Sequence, residues 1–218
     1  MQQGHTSPNT AVVLMSGGLD SAVTACIASQ HYQLAFLHVQ YGQTHAEKEL
    51  ECFYKLVEYF KPAHVLVTEA PILKMIGKSS LTDPNAPVEH VVVPFRNTIL
   101  LSMAVAWAET LPAQAVYIGV TKDDYEKFPD CREEYLAAFQ QVVNLGTVTC
   151  AFYGKPIKVV APLIHLTKRE IVQLGVKLNA PISLTWSCYF PQEDGQPCGQ
   201  CIPCRLRQEA LKAISSTD

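Results

Sequence analysis

The chain has 218 residues, of which 48% are hydrophobic and 17% charged, with a net charge of −3 at neutral pH. That composition excludes a disordered chain and supplies enough apolar surface for one core, perhaps with a small appendage. It also excludes a bulk electrostatic hold on nucleic acid, and no apolar run approaches the roughly 20 residues of a membrane span.

Residues 1–10 are polar, contain Gly4 and Pro8, and predict a flexible N-terminus rather than a signal peptide. Without an export signal the chain is expected in the cytoplasm, where its eight cysteines stay reduced as thiols or metal ligands. Ala11-Val-Val-Leu-Met15 has the length and β-branched content of a buried strand. Ser16-Gly-Gly-Leu-Asp-Ser21 follows it directly, and Ala22 to Ala28 reads as a first helix. Leu34 to Val39 is a second strand. Thr44 to Phe60 places Ala46, Leu50, Phe53, Val57 and Phe60 on one helical face. Val65 to Val67 is a third strand, and Ser79 to Glu89 is a loop around Pro84 and Pro87. Thr98 to Glu109 predicts an apolar helix buried on more than one side. Ala115 to Val120 and Ile157 to Ala161 complete five strands, with a helix from Arg132 to Leu145 between them. Thr167 to Leu178 is a helix opened by a Thr167–Glu170 capping box.

Strands alternating with helices predict an α/β fold, a parallel five-stranded sheet with helices on both faces. Residues 11–180 form this nucleotide-binding domain, and residues 181–218 form a cysteine-rich C-terminal subdomain. Ligands of such sheets bind beyond the carboxyl ends of the strands, where Ser16–Ser21 lies. A strand that turns through two glycines into a helix aims backbone N–H groups at one point. With the Ser16 and Ser21 hydroxyls, those groups suit a phosphate; a tight turn without ligand is the competing reading. No lysine follows the glycines as in a Walker loop, and Asp20 is placed to meet phosphate through Mg²⁺. The loop therefore points to pyrophosphate as a leaving group.

Cys188, Cys198, Cys201 and Cys204 form C-x9-C-x2-C-x2-C, a spacing that lets four thiolates saturate a tetrahedral Zn²⁺. Disulfides and an iron–sulfur cluster use the same residues. A four-cysteine site leaves no open position for metal-activated water, so the metal's work is to fold a core-poor tail. Cys26, Cys52 and Cys150 read as packing residues, Cys150 near a strand start. Cys131 lies in a polar loop and reads as packing or substrate lining rather than as a nucleophile.

The hexapeptide resembles the SGGxDS loop of the PP-loop ATP pyrophosphatases, which adenylate a substrate. On that likeness Leu14, Met15, Ser16, Gly17, Gly18, Leu19, Asp20, Ser21, Ala22, Val23 and Thr24 are the expected nucleotide-binding segment. Four further segments carry polar residues that packing does not demand: Tyr41-Gly-Gln-Thr-His45, Val93-Pro-Phe-Arg-Asn97, Asp123 to Arg132, and Thr185 to Tyr189. In their common order, with Lys168-Arg-Glu-Ile171, they resemble the 7-cyano-7-deazaguanine synthase family of queuosine biosynthesis, from about Ala11 to Leu211. The resemblance implies an adenine-nucleotide hydrolase-like fold, a structural zinc and a carbon–nitrogen ligase. Such an enzyme uses ATP and Mg²⁺ to turn 7-carboxy-7-deazaguanine and ammonia into the nitrile, through an acyl adenylate and an amide. It further implies a homodimer and no nucleic-acid partner.

A carboxylate is a poor electrophile, so the acid must be given AMP as a leaving group while charge builds on pyrophosphate. Asp20 and Ser21 are the expected catalytic residues at the loop. Arg96 is a clamp for phosphate or for the substrate carboxylate, or a surface arginine at a helix start. His45 is a proton carrier or a structural histidine. Arg96, Asn97, Tyr125, Asp130 and Arg132 are the expected substrate contacts, Asp130 accepting from the deazapurine's N–H edge or merely capping the helix that follows. One position departs from the family: Phe95 replaces the small residue, commonly glycine, of VP-x-RN, and is expected to crowd the nucleotide or turn into the core. A PP-loop enzyme acting in tRNA thiolation or on another carboxylate, and a zinc-tail nucleic-acid-binding protein, are the alternative functions.

Overall fold

The structure, a computed structural model, describes residues 9–125 and 127–215. The expected flexible N-terminus lies outside the described residues for positions 1–8. β1 (Thr10–Leu14) already begins at Thr10. It is followed by α1 (Leu19–Ala28), β2 (Gln33–Gln40), α2 (Ala46–Phe60) and β3 (His64–Glu69). Then come α3 (Ile72–Ile76), α4 (Arg96–Thr110), β4 (Ala115–Tyr117), α5 (Lys122–Tyr125), α6 (Glu133–Gly146) and α7 (Val148–Tyr153). β5 (Lys158–Val160), α8 (Lys168–Lys177) and α9 (Ile202–Ser215) complete the order. No helix of the described residues is long and apolar enough to cross a membrane.

All five strands are parallel, in the order β3-β2-β1-β4-β5. β1 is central and, after Thr10, apolar throughout, because it has a helix layer on each side. Val12 faces Leu101, Ala104 and Val105 of α4 and Phe139 of α6. Its neighbours Ala11 and Val13 face Ala22 and Ala25 of α1 and Phe53 and Leu56 of α2. This is the period-two alternation of a strand sorting side chains into two cores. A third apolar cluster joins Leu19 and Val23 of α1 to Ile171 and Val172 of α8 and Ala210 of α9. The C-terminal segment is thereby packed on the helix that leaves the loop.

The chain runs outward from β1 through β2 to β3, then returns to place β4 on β1's other side. The order therefore reverses between β1 and β4, and the loops after these two strands flank a crevice at their carboxyl ends. Gly119, just past β4, lets the crevice walls meet: a Cβ there would lie 3.2 Å from the Asp20 carbonyl carbon and the Ser21 nitrogen.

The differences from expectation are local. β4 stops at Tyr117 rather than Val120 because the chain turns at Gly119, although the Ile118 N–H still donates to the Val160 carbonyl at 3.0 Å. β5 is likewise shortened to Lys158–Val160. Cys150 lies in α7 rather than near a strand start. α4 buries one stripe, Asn97, Leu101, Ala104, Val105 and Ala108, while Ser102 and Ala106 are exposed. The capping box at Thr167 forms, with the Thr167 N–H donating to Glu170 Oε2 at 2.8 Å.

Phe95 neither crowds a ligand nor enters the core. It precedes α4 with φ +56°, a left-handed conformation, and its side chain is 65% exposed. Left-handed backbone costs a β-carbon-bearing residue about 1–2 kcal/mol, part of which is offset because glycine loses more chain entropy on folding. Phe95→Gly should therefore raise unfolding stability by up to about 1 kcal/mol, read as a higher urea midpoint at unchanged m-value.

Candidate active site and metal centre

A cavity of about 520 Å³ opens at the carboxyl ends of β1, β2 and β4. Its floor is the segment from Leu14 to Ser21, and it extends over Arg96 and Asn97 to the cysteine tail at Cys201 and Arg205. The loop's shape depends on Gly17. This residue has φ +89°, and a Cβ on it would fall 2.5 Å from the Glu49 carbonyl oxygen of α2. From the other side, the Trp186 N–H donates to the Gly17 carbonyl at 2.9 Å, and Gly18 forms a bridge with Trp186. Gly18 caps α1, and no side chain caps that helix. The first-turn donors of α1 are thus left to an anion. The hydroxyls brace the turn itself: Ser21 Oγ donates to the Gly18 carbonyl at 2.9 Å and lies 3.2 Å from Ser16 Oγ, which accepts from the Gly18 N–H.

Within the expected nucleotide segment, Leu14, Met15, Ser16, Gly18, Leu19, Asp20 and Ser21 line the cavity. Ala22 and Val23 instead pack into the apolar clusters, and Thr24 is fully buried in α1. Asp20 is not alone. Both of its carboxylate oxygens accept from Lys168 Nζ at 2.6 Å. The cation that a Walker loop carries beside its glycines is thus delivered here from the first residue of α8, 148 positions away. Sequence reasoning quoted Lys168 only as part of a motif; separation along the chain hid its place. Asp123 and Asp124, on the short α5 that follows β4, line the same cavity. Burial first, and then the Asp20 charge, pushes the Asp124 carboxyl above its ordinary range, against hydrogen bonds from Thr121.

On the opposite wall Arg96 donates to the Tyr41 hydroxyl at 3.0 Å and lies over the Tyr41 ring. Tyr41, ahead of Tyr189 and Asp130, holds the guanidinium firmly protonated against the effect of burial. His45 also lines the cavity, its Nε2 3.2 Å from Glu49 Oε1. Glu49 Oε2 accepts from Gln43 Nε2 at 2.8 Å. His38, which no motif singled out, sits beside them on β2 and is 1% exposed.

The structure therefore brings Asp20, Ser21, His45, Arg96 and Asn97 to one cavity and leaves Tyr125, Asp130 and Arg132 outside its lining. Asp130 Oδ2 accepts from the Asn97 N–H at 3.1 Å, so it caps α4 rather than the helix that follows it in sequence. Asn97 Nδ2 in turn donates to the Asp130 carbonyl and to Cys131 Sγ. Tyr125 donates to Glu134, and Arg132 donates to the Tyr125 carbonyl. Burial, with Asp124 and Asp130 nearby, pushes the Cys131 thiol up to about 12, which suits packing and not nucleophilic attack.

The four tail cysteines offer sulfur atoms that all lie within 4.8 Å of one another, and none of the eight cysteines is in a disulfide. A tetrahedral zinc with Zn–S of about 2.3 Å needs sulfur separations near 3.8 Å, so the set fits after a small contraction. Burial alone would raise the Cys198 thiol, but N–H donors of Cys201 and Gln200 bring it down to about 7, which favours the ligating thiolate. Arg207 ties this module to the loop, donating to Thr185 Oγ1 at 2.6 Å, Ser187 Oγ at 3.1 Å and the Ile182 carbonyl at 2.7 Å.

Comparison with known proteins agrees with this geometry. A family model described as "Queuosine biosynthesis protein QueC" matches residues 10–215. A 7-cyano-7-deazaguanine synthase of Chlorobium limicola is 41% identical over 219 residues, covering 95% of this chain and 94% of that protein. One from Saccharophagus degradans is 42% identical over 221 residues, covering 97% of each. Among solved structures, the NH3-dependent NAD synthetase from Campylobacter jejuni superposes with a TM-score of 0.51 at 17% identity, over 98% of this chain and 77% of that one. The NMN synthetase of Francisella tularensis gives 0.50 at 16%, over 95% and 77%. At such low identities these likenesses speak for the fold alone.

Two expected outcomes follow from the geometry. Gly17→Ala meets both left-handed backbone and the Glu49 carbonyl, so it should cost about 2–4 kcal/mol in urea unfolding. Elemental analysis should find about one zinc per chain, lost in Cys201→Ser together with protease resistance of residues 181–215; a zinc-free or iron-loaded wild type would refute this.

Proposed function

The chain belongs to the QueC family of queuosine biosynthesis proteins, and from that membership we propose that it makes 7-cyano-7-deazaguanine from 7-carboxy-7-deazaguanine, ammonia and ATP. The observation that carries this reading is family membership over residues 10–215, joined to a strand-end loop whose uncapped helix faces a cavity large enough for nucleotide and acid.

The substrate carboxylate oxygen attacks the α-phosphorus of ATP, and pyrophosphate leaves toward the first turn of α1. Backbone donors there are preorganised for the charge that builds on the leaving group. Lys168, held by Asp20, adds a cation on the same side. Asp20, with Asp123 or Asp124 across the crevice, would hold Mg²⁺, which would supply shielding of the phosphate charge. Ammonia then attacks the acyl carbon and AMP leaves with the carbon–oxygen electron pair, giving the amide. A second ATP activates the amide oxygen, and loss of AMP and of the nitrogen's two protons gives the nitrile.

Arg96 is placed to hold a carboxylate or phosphate with its fork, and Tyr41 keeps that fork in place. Asn97 serves the heterocycle from the same wall. Asp130, with Arg132 and Tyr125 behind it, acts through Asn97 by fixing the start of α4. The four-cysteine module takes a structural zinc and forms a subdomain over residues 181–218, with residues 11–180 as the nucleotide-binding domain. A cytoplasmic homodimer completes the reading, supported by the exposed apolar Leu145, Phe152 and Tyr153 at the α6–α7 corner.

The assay is product analysis with ATP, Mg²⁺, the acid and ammonia. AMP, pyrophosphate and the nitrile mass are expected; ADP, or no turnover with this acid, overturns the proposal. Asp20→Ala and Lys168→Met should each lower AMP release by roughly 100-fold or more while far-UV circular dichroism stays that of the parent. Parental rates in either variant would remove that residue from the mechanism.

A further inference from the structure

Two imidazoles in the cavity wall share an unusual state. His38 is 1% exposed and His45 is 4% exposed, and both line the cavity. His38 Nδ1 lies 2.9 Å from the Met15 carbonyl, which can only accept, so Nδ1 carries the hydrogen. His45 Nε2 lies 3.2 Å from Glu49 Oε1, another acceptor, and carries its hydrogen likewise. The remaining nitrogens, His38 Nε2 and His45 Nδ1, are buried with no hydrogen-bond partner among the described residues. A buried polar atom without a partner costs about 1–3 kcal/mol, and a fold keeps two in the lining of one cavity only where something else satisfies them. Burial depresses the His38 pKa, outweighing its bond to Met15 and the pull of Glu49, so its ring is neutral and Nε2 is a bare acceptor.

What these atoms would bind follows from their charge and kind. They are two lone pairs beside the Glu49 carboxylate, itself fixed by Gln43. The ring of Tyr189, whose centroid is 5.7 Å from that of His45, stands in the same wall. Acceptors, one negative charge and an aromatic face suit a small cation with several N–H donors and repel an anion. We infer that His38, His45 and Glu49 form a capture site for ammonium, the nitrogen source of the reaction proposed above. Ammonium gives one proton to the bare imidazole nitrogen of His45. The ammonia so formed uses its lone pair for the new carbon–nitrogen bond, AMP departs with the carbon–oxygen pair, and the adduct nitrogen sheds one further proton to solvent. Glu49 holds the His45 tautomer and balances the charge of the imidazolium. This inference rests on the ligase reading, and the experiment separates the two.

Three variants delete one feature each; the two histidine variants keep the local donor, and Glu49→Gln keeps an acceptor toward only one of Gln43 and His45. Glu49→Gln removes the charge. His45→Gln keeps a donor toward Glu49 and removes Nδ1. His38→Asn keeps a donor toward Met15 and removes Nε2. In the holoenzyme, acid-dependent exchange of pyrophosphate into ATP needs no nitrogen source and should be unchanged in Glu49→Gln and His38→Asn, with parental KM for ATP. The KM for total ammonium should rise about tenfold or more, the loss expected for a charge-assisted hydrogen bond. Hydroxylamine, neutral at pH 7, should react at the parental rate in Glu49→Gln. Absence of exchange in the wild type overturns the ligase reading. Normal exchange with an unmoved ammonium KM in all three variants overturns the capture site and leaves that reading standing. Equal losses with ammonium, hydroxylamine and exchange would show a merely structural role and also overturn it.

Discussion

Everything at the cavity depends on three backbones meeting at one glycine. Gly17 lies against the Glu49 carbonyl of α2 on one side, and its own carbonyl takes the Trp186 N–H on the other. A little further on, Gly119 closes against the peptide that joins Asp20 to Ser21. A Cβ at Gly17 would force the Glu49 backbone to shift and one at Gly119 would be tight, so the loop is held by main chain that cannot change rotamer. That rigidity is what a phosphate-binding turn needs: donors that are already aimed when charge develops cost no reorganisation. It also makes the loop hostage to distant parts of the chain, since α2, the β4 exit and the segment before the cysteines must all be in place first.

The cysteine module has its purpose in that dependence. Residues 182–187 have no strand or helix longer than a single turn to hold them. They are positioned by Arg207, whose three bonds reach Thr185, Ser187 and Ile182. Arg207 stands on α9, which starts between the third and fourth ligating cysteines and packs through Ala210 on α1 and α8. Closing the four sulfurs around an ion would fix the start of α9, hence Arg207, hence the strand-like bridge from Trp186 to Gly18. A metal held by these sulfurs would thus bear on the geometry of the loop from Ser16 to Ser21.

Much of this was legible in residue order, and the parts that were not share a cause. The five strands, the capping box at Thr167 and the sulfur cluster rest on local periodicity or spacing, and local signals survive folding. α3, α5 and α7 have four to six residues and too few turns to show a period. Lys168 reaches Asp20, and Asp130 reaches Asn97, because α8 and α4 begin where the sheet places them; nothing in the intervening sequence encodes those meetings. His38 was invisible for a different reason. Inside an apolar strand a histidine reads as an ordinary core residue, and only the pairing of its Nδ1 with Met15 exposes the unmet nitrogen. Phe95 was recognised as a departure, yet its consequence lay in a backbone angle and not in the ring.

The charges in the cavity also divide by partner. Asp20 is tied to Lys168 at the α1 end, where the pair makes a nearly neutral platform beside helix donors. Among the described residues Glu49 is ion-paired with no lysine or arginine; its hydrogen bonds come from Gln43 and His45. Two carboxylates of similar intrinsic acidity therefore present opposite faces to a ligand, one tolerant of phosphate and the other of a cation. A reaction that joins a nitrogen nucleophile to a phosphate-activated acid has to keep ammonium away from phosphate, or the two pair with each other instead of reacting. Arg96 stands on the same wall as Glu49, its guanidinium tied to Tyr41. A guanidinium fixed there is suited to an anionic group at the boundary between the two regions.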